Sequence, residues 1–353
     1  MTQPHATLKH VNFKTAASAL LDVLDVRSRD IVERRFGIQG GALETLDSIG
    51  KTYGITRERV RQIEVQAKRV LARREDLLQN VDALLRDVFA EHGGILSETY
   101  LHQIIQQRFA EPSAAVLIDF FLDILAAYDY VRRSSTLVVH WRCVVLLHEY
   151  AETVVAAAEK VLKNSGHPKP QSDLVAEIRQ QLGVGEQTLP DAYIVALLQA
   201  SRNIRQTVFG DWGIVGWAET TPRGVGDKAY AVLRRGGKPE HFRRITAMIN
   251  EAHFDHKQAH EQTVHNELIK DQRFVLVGRG VYGLSEWGYI PGTVADVLEA
   301  ILAHARRPMT REELTAQVLA QRMVKKTTIL LGLQNSNRFI KIKGNRYTLR
   351  EQR

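Results

Sequence analysis

Residues 45–75 read TLDSIGKTYGITRERVRQIEVQAKRVLARRE, and this stretch decides how the N-terminal part of the chain folds. Thr45 is typical of a residue that caps a short helix, because its hydroxyl can accept a hydrogen bond from a free backbone N–H. Gly54 suits the left-handed residue that ends this helix, and Thr56 can cap the helix that follows. The stretch therefore predicts a short helix, a tight turn and a second, longer helix.

An additional helix is predicted immediately upstream. Ser28 is a suitable N-terminal cap, and Ile31, Val32 and Phe36 recur at helical spacing. Gly37 can end this helix in the left-handed conformation. A short helix, a glycine turn and a longer helix are typical of a helix-turn-helix. In that motif the helix after the turn presents its N-terminal residues to the major groove.

The long helix has an apolar face and a polar face. The apolar positions are Val60, Ile63, Ala67, Val70 and Leu71. The polar positions of the first two turns, which are the candidate base-reading residues, are Arg57, Glu58, Arg61 and Gln62. Arg can bridge O6 and N7 of guanine, Gln can pair with adenine, and Glu can accept a hydrogen bond from cytosine N4. Basic residues further along the helix are expected to contact phosphates, and they are Lys68, Arg69, Arg73 and Arg74.

The segments SRDIVERRFGI (28–38) and ETLDSIGKTYGITRERVRQIEVQAKRVLARRE (44–75) resemble region 4 of the primary sigma factors of bacterial RNA polymerase. The resemblance implies a module that reads the promoter element around −35 and touches the polymerase. It places Arg57, Glu58, Arg61 and Gln62 at the base-reading positions, and Thr56 and Arg59 toward the DNA backbone. Nothing in the chain resembles sigma region 2, so we do not expect the protein to open promoters on its own.

Composition limits the class of protein. The chain has 353 residues, of which 44% are hydrophobic and 25% charged, as is usual for globular domains. Cys143 is the only cysteine, which excludes an intramolecular disulfide and a multi-cysteine zinc site. No apolar run is long enough to span a membrane, and the first residues lack the pattern of a signal peptide. These features predict a cytoplasmic protein. The resemblance to bacterial sigma factors adds the expectation of bacterial or phage origin and of association with the nucleoid.

The formal net charge of +8 is unevenly distributed. Residues 1–80 carry a net charge of +4, residues 81–222 carry −6, and residues 223–353 carry +10. Two basic ends suit a polyanionic partner such as double-stranded DNA, while the acidic middle would be repelled by phosphates. We expect the middle to act as a spacer or as a protein-docking surface.

The C-terminal part of the chain contains a repeat. RFVLVGRGVYGLSE (273–286) and RFIKIKGNRYTLRE (338–351) align without a gap at an offset of 65 residues, and each predicts a β-hairpin. Each hairpin follows three helical stretches, which is the order of a winged helix. Two weaker copies are expected upstream. In residues 81–142, the segment 130–133 precedes an apolar strand at 137–139, and in residues 150–218, the segment 203–205 precedes 212–214. The expected domains are 1–80, 81–147, 148–222, 223–290 and 291–353, and the fold class is mainly α with small β-hairpins.

The first of these two hairpins belongs to a longer resemblance. DKAYAVLRRGGKPEHFRRI (227–245) and TVHNELIKDQRFVLVGRGVYGLSEWGY (263–289) resemble the HARE-HTH winged helix, which is related to the delta subunit of RNA polymerase. The resemblance implies binding to DNA or polymerase rather than catalysis. By charge, the candidate wing and helix contacts are Arg243, Arg244, Lys270, Arg273, Arg279, Lys325, Lys326, Lys341, Lys343 and Arg346.

Other chemical signals are weak. Four histidines cluster at His253, His256, His260 and His265, but they lack a matching carboxylate or cysteine pattern. Trp212, Trp217 and Trp287 are expected to close small cores, and Cys143 is expected to be buried and inert. No nucleophile motif or pair of catalytic carboxylates is present, so we expect no enzyme activity, no cofactor, no bound metal and no small-molecule substrate.

These observations predict a sigma-like transcription factor that binds double-stranded DNA in a sequence-dependent way and contacts the RNA polymerase core. Two alternatives stay open. One is a delta-like accessory protein of the polymerase without specific DNA readout. The other is a DNA-binding factor of phage or defence origin.

Overall fold

The computed structural model describes residues 11–109, 114–146 and 150–350. These residues form a mainly helical structure with small antiparallel sheets, as predicted. They fall into two compact units, Met1–Arg205 and Gln206–Arg353. The boundary between the units lies within the predicted domain 148–222. No helix among the described residues is long and apolar enough to cross a membrane.

The first unit contains most of the helices. They are α1 (Phe13–Leu21), α2 (Val26–Phe36), α3 (Leu46–Tyr53), α4 (Arg57–Ala72), α5 (Glu75–Glu91), α6 (Glu98–Arg108), α7 (Ala114–Ile124), α8 (Ala151–Ser165), α9 (Gln171–Leu182) and α10 (Asp191–Ala200). Its strands are β1 (Ile95–Ser97), β2 (Tyr128–Val131) and β3 (His140–Cys143), and β4 (Ile204–Gln206) begins at its end.

Local sequence signals set the ends of the first helices. Thr45 and Thr56 cap α3 and α4 as predicted, and Gly37 and Gly54 end α2 and α3 with φ of 65° and 64°. The cap of α2 is Asp25 rather than the predicted Ser28. The Asp25 carboxylate accepts hydrogen bonds from the backbone N–H groups of residues 27 and 28, both at 3.0 Å, so the helix starts earlier and Ser28 lies inside it.

The N-terminal helices share one hydrophobic core with the segment that follows them. Phe13 of α1 is fully buried, and its ring lies 5.1 Å from that of Phe109 and 6.4 Å from that of Phe121. The core continues through α5 and α7 without interruption. The predicted domain boundary at 80/81 falls inside helix α5, within this core. The next predicted boundary, at 147/148, lies outside the described residues.

The second predicted domain has a three-stranded sheet in the order β1-β3-β2. Its last strand is β3, four residues long, and not the predicted strand at 137–139. The reason is that Leu137 pairs with Ser201, and the N–H of Val138 donates to the carbonyl of Ala200 at 2.8 Å. The predicted strand segment is thus bound to the end of α10, and the chain pairs with β2 only from His140 onward.

The second unit repeats one order of elements twice. Its elements are β5 (Trp212–Ile214), α11 (Val225–Gly236), β6 (Glu240–His241), α12 (Phe242–Glu251), α13 (Glu261–Lys270), β7 (Phe274–Gly278), β8 (Val281–Leu284), a 3-10 turn (Ser285–Trp287), α14 (Val294–Ala305), β9 (Met309–Thr310), α15 (Arg311–Gln321), α16 (Lys326–Leu333), β10 (Phe339–Ile342) and β11 (Arg346–Leu349). The sheets have the matching orders β6-β8-β7 and β9-β11-β10.

Both predicted hairpins are present in this unit. Phe274 pairs with Leu284, and 65 residues later Phe339 pairs with Leu349, so the sequence repeat is also a repeat of strand register. The two repeats touch through the segment that joins them. Arg322 is only 4% exposed and donates to the backbone carbonyls of residues 290 and 292 at 2.6 and 2.7 Å.

Phe13 tests whether the first helices depend on the segment that follows them. We expect Phe13→Ala to lower the free energy of unfolding by about 3–5 kcal/mol, because it removes a fully buried ring from the shared core. Leu43→Ala is the control, since Leu43 is 71% exposed, and its effect should stay within about 0.5 kcal/mol. Urea unfolding followed by circular dichroism measures both. Equal stability of the two variants would contradict a shared core.

Candidate nucleic-acid interface

The turn between α3 and α4 is held by close backbone contacts. The N–H of Ile55 donates to the carbonyl of Gly50 at 3.0 Å, and the Thr56 hydroxyl accepts from the N–H of Arg59 at 3.2 Å. A Cβ added at Gly50 would lie only 2.7 Å from the Ile55 carbonyl oxygen. The angle between the two helices therefore depends on a glycine at residue 50 as well as on the left-handed Gly54.

A small core lies beneath this turn. Ile31, Ile49 and Val60 are fully buried against one another, one from each of α2, α3 and α4. The Tyr53 hydroxyl donates to a carboxylate oxygen of Asp30 at 2.7 Å, which joins the end of α3 to α2. This hydrogen bond, together with burial, raises the pKa of Tyr53. The three helices thus hold α4 in a fixed position.

The opposite face of α4 is polar and exposed. All four candidate base-reading residues, and Arg59 beside them, are exposed. Further along the helix the exposed polar residues are Gln66, Arg69 and Arg73. The helix has 16 residues, so this polar surface is about 24 Å long. Among the residues that the structure describes, the side chains of Arg57, Arg69 and Arg73 have no hydrogen-bond or ion-pair partner.

Two pairs of side chains are formed within the exposed face. The Arg61 guanidinium makes hydrogen bonds of 2.9 and 2.7 Å to the two carboxylate oxygens of Glu58, which lowers the pKa of Glu58. Arg59 donates to the side-chain oxygen of Gln62 at 3.2 Å. Exposed pairs of this kind are weak because water screens them. They therefore leave the face open to a ligand.

Lys68 has a different environment from the one expected for a phosphate contact. Its ammonium group lies 2.7 Å from a carboxylate oxygen of Glu64 and 2.6 Å from one of Asp123 on α7, above the ring of Phe36. Burial lowers the pKa of Lys68, but the two carboxylates outweigh this effect and the net shift is upward. We therefore leave Lys68 out of the proposed interface. Arg74 is also occupied, by Asp76 at 2.9 and 2.7 Å.

Glu64 is a further residue of this site, and it is not among those predicted from the sequence. It is only 7% exposed and also contacts Arg35 of α2, at 3.3 Å. The helical spacing contains a signal for it, since residue 64 falls between Val60 and Ala67 on the apolar face and one turn before Lys68. Its contact with Arg35, however, comes from another helix and could not be read from α4 alone.

The basic candidates of the second unit fall into two groups. Arg273 is bound to Asp271 at 2.6 Å and to Asp227 at 3.0 Å, and the two carboxylates raise its pKa. Arg243 pairs with Glu261, and Arg244 pairs with Glu251. The other candidates are exposed and, within the described part of the chain, have no side-chain partner. They are Lys270, Arg279, Lys325, Lys326, Lys341, Lys343 and Arg346.

Three of these free cations share one hairpin. Lys341 is on β10 opposite Tyr347, Arg346 starts β11, and Lys343 lies in the turn between the strands. Residues 325 and 326 stand at the start of α16 in the same repeat. The structure thus gathers the free positive charge of this repeat on its hairpin and at one helix start.

The histidine cluster does not form one helical face. His256 and His260 lie in the loop between α12 and α13, so their spacing of four residues does not place them one helical turn apart. His265 is on α13, where its ring stacks on Phe242 at 4.4 Å. Cys143 and Trp212 are buried, as expected for structural residues.

Gly50 offers a direct test of the turn. We expect Gly50→Ala to lower the free energy of unfolding by about 1–3 kcal/mol, because the added methyl group must displace backbone at Ile55. Gly41→Ala is the control, since a Cβ at Gly41 would meet nothing within 4 Å. Chemical unfolding of both variants measures the difference. If Gly50→Ala is as stable as Gly41→Ala, the close contact is not a constraint.

The helices of this site are similar in sequence to known proteins. Residues 20–73 match the family model of sigma-70, region 4, and this range includes all of α2, α3 and α4. The chain is 46% identical over 52 residues to the RNA polymerase sigma factor SigA of Microcystis aeruginosa, and equally to that of Synechocystis sp.. Each match covers 15% of this chain and 12% of the relative's length. The N-terminal helix-turn-helix is therefore similar to sigma region 4, while the winged-helix and HARE-HTH resemblance of the C-terminal part stays a prediction.

Proposed function

We propose that this protein is a DNA-binding transcription factor that associates with RNA polymerase and that uses α4 to read duplex DNA. The observation that carries the proposal is the polar face on the first two turns of α4, held by a rigid glycine turn in the segment that matches sigma region 4. The matched relatives are sigma factors of RNA polymerase, which supports polymerase as a partner.

The dimensions and chemistry of α4 suit the major groove. An α-helix with its side chains is about 10–12 Å wide, and the groove is about 12 Å wide. Arg57, Glu58, Arg61 and Gln62 would face base edges. The residues proposed for the phosphate backbone are Thr56, Arg59, Arg69 and Arg73. The pairs Arg61–Glu58 and Arg59–Gln62 would open or reorient when the bases offer stronger partners.

The second unit would add affinity without sequence information. We propose that each of its two repeats is a winged helix, because each has three helices, a short first strand and a hairpin. The free cations Lys341, Lys343 and Arg346 on the last hairpin would contact phosphates. Linkage to the base-reading helix then raises the affinity of the whole chain above that of either part. In this proposal the protein binds and does not catalyse a reaction.

One observation favours a second candidate function, a delta-like accessory protein of the polymerase. Three cations of the fourth predicted domain (223–290), Arg243, Arg244 and Arg273, are paired with carboxylates of the same domain. That domain therefore offers fewer free cations to DNA than the last repeat does, which favours a protein partner for it. Copurification with polymerase that survives Arg57→Ala and Arg61→Ala substitutions would support this second function.

The base-reading residues can be tested on a duplex selected from random DNA by the full chain. Replacing Arg61 or Gln62 by Ala should weaken binding to that duplex by about 1–3 kcal/mol and broaden the sequence preference. Lys163→Ala is the matched control, because Lys163 is an exposed cation of the acidic middle region. Fluorescence anisotropy measures the affinities. If the Arg61→Ala and Gln62→Ala variants select the same DNA sequence as the unsubstituted chain, these residues do not read bases.

The hairpin cations predict a different kind of change. The double substitution Lys341→Ala and Lys343→Ala should weaken binding to all duplexes alike. The slope of log affinity against log salt should fall by about one for each lost phosphate contact. Arg243→Ala with Arg244→Ala is the control, since those guanidiniums are already paired. If the control pair lowers the affinity and the salt slope more than the hairpin pair does, the phosphate contacts lie at Arg243 and Arg244 and not on the last hairpin.

A further inference from the structure

A group of potential metal ligands lies between α6 and α7, away from the proposed DNA interface. Glu98 and His102 are one turn apart on α6, and Asp119 comes from α7. One carboxylate oxygen from each acid and one ring nitrogen of the histidine all lie within 4.8 Å of one another. The Nε2 atom of His102 is 3.0 Å from the Oδ2 atom of Asp119. All three residues are partly buried.

Two further observations distinguish this group from a simple surface ion pair. The Oδ1 atom of Asp119 is buried and has no hydrogen-bond partner among the described residues. A buried carboxylate oxygen without a partner is unfavourable, and a bound cation would satisfy it. In addition, the Tyr130 hydroxyl donates to Glu98 at 2.9 Å and so fixes the orientation of that carboxylate. Such an outer contact is typical of metal ligands.

We propose that Glu98, His102 and Asp119 form a binding site for Zn²⁺ or a similar divalent transition metal. One imidazole and two carboxylates are a donor set that suits zinc, whereas Mg²⁺ and Ca²⁺ prefer oxygen ligands only. In the tetrahedral geometry that zinc prefers, two ligand atoms each about 2.1 Å from the ion are about 3.4 Å apart. The ligand atoms, which lie within 4.8 Å of one another, would therefore approach by at most about 1.4 Å, and a water molecule could fill the fourth position.

The position of this site gives it a structural consequence. Asp119 and Asp123 are four residues apart on α7, and thus on the same side of the helix. Asp123 binds Lys68 of α4 at 2.6 Å. A metal ion that joins α6 to α7 would therefore stabilise the helix that supports α4. This inference does not rest on DNA binding, because it concerns only the packing of the first unit.

The test is a calorimetric titration of the full chain, first treated with a chelator, with ZnCl₂ and separately with MgCl₂. We expect Zn²⁺ to bind in the micromolar range or tighter and Mg²⁺ to bind at least tenfold more weakly. His102→Ala and Asp119→Asn should each weaken Zn²⁺ binding about tenfold or more. The control is His256→Ala with His260→Ala, which removes two histidines outside the site and should leave this affinity unchanged.

A second readout separates metal binding from loss of fold. Zn²⁺ should raise the melting temperature of the unsubstituted chain, and Glu98→Gln should remove this rise while keeping an acceptor for Tyr130. Circular dichroism verifies that each variant is folded before the titration. The proposal is overturned if the unsubstituted chain does not bind Zn²⁺. It is overturned equally if folded His102→Ala and Glu98→Gln respond to Zn²⁺ like the unsubstituted chain, or if only the His256/His260 variant loses binding.

Discussion

The carbonyl oxygen of Ile55 lies so close to Gly50 that no side chain fits between them, and the orientation of α4 follows from this contact. Gly54 turns the chain in the left-handed conformation, and Thr56 then begins α4 at once. With Val60 buried against α2 and α3, the polar side of α4 is left facing outward. The proposed readout of DNA thus depends on a backbone constraint in which none of the four base-reading side chains takes part.

The helix-turn-helix does not stand apart from the residues that follow it. Phe13 packs on rings from the next segment, and Asp123 of α7 binds Lys68 of α4. Glu64 completes this network by contacting both Lys68 and Arg35. The buried side of α4 is therefore held by ion pairs as well as by apolar packing, and α7 acts as its support. Helix α7 also carries Asp119 of the proposed metal site. The position of α4 and the geometry of the metal site therefore both depend on how α7 is packed.

The features that could be predicted from the sequence are those determined by neighbouring residues. Thr45, Thr56, Gly37 and Gly54 act where expected, because caps and left-handed ends depend on only a few successive positions. Both hairpins of the second unit were also predictable, since the repeat conserves their register. Asp25 replaced Ser28 as a cap because two suitable residues lie three positions apart, and the sequence does not say which one the chain uses.

Features that depend on distant residues could not be predicted. Glu64 lies one helical turn from Lys68, but the second partner of Lys68, Asp123, is 55 residues away on another helix, so helical spacing alone did not separate Lys68 from the solvent-facing cations. The continuation of the core past residue 80 could not be read from the sequence for the same reason, since α1 packs against α5 and α7. At the proposed metal site, the sequence shows that Glu98 and His102 are one helical turn apart. It does not show that the packing of α7 against α6 brings Asp119 next to them.

Interference by methylation of guanine N7 tests most directly whether α4 lies in the major groove. The full chain is bound to a duplex that it has selected from random DNA, and bound and free fractions are compared at each guanine. We expect N7 methylation at one or more guanines within the selected site to exclude the protein, because Arg61 or Arg57 would use that atom. If the protein tolerates methylation at every guanine of a guanine-containing site, and a minor-groove ligand blocks its binding instead, α4 does not lie in the major groove.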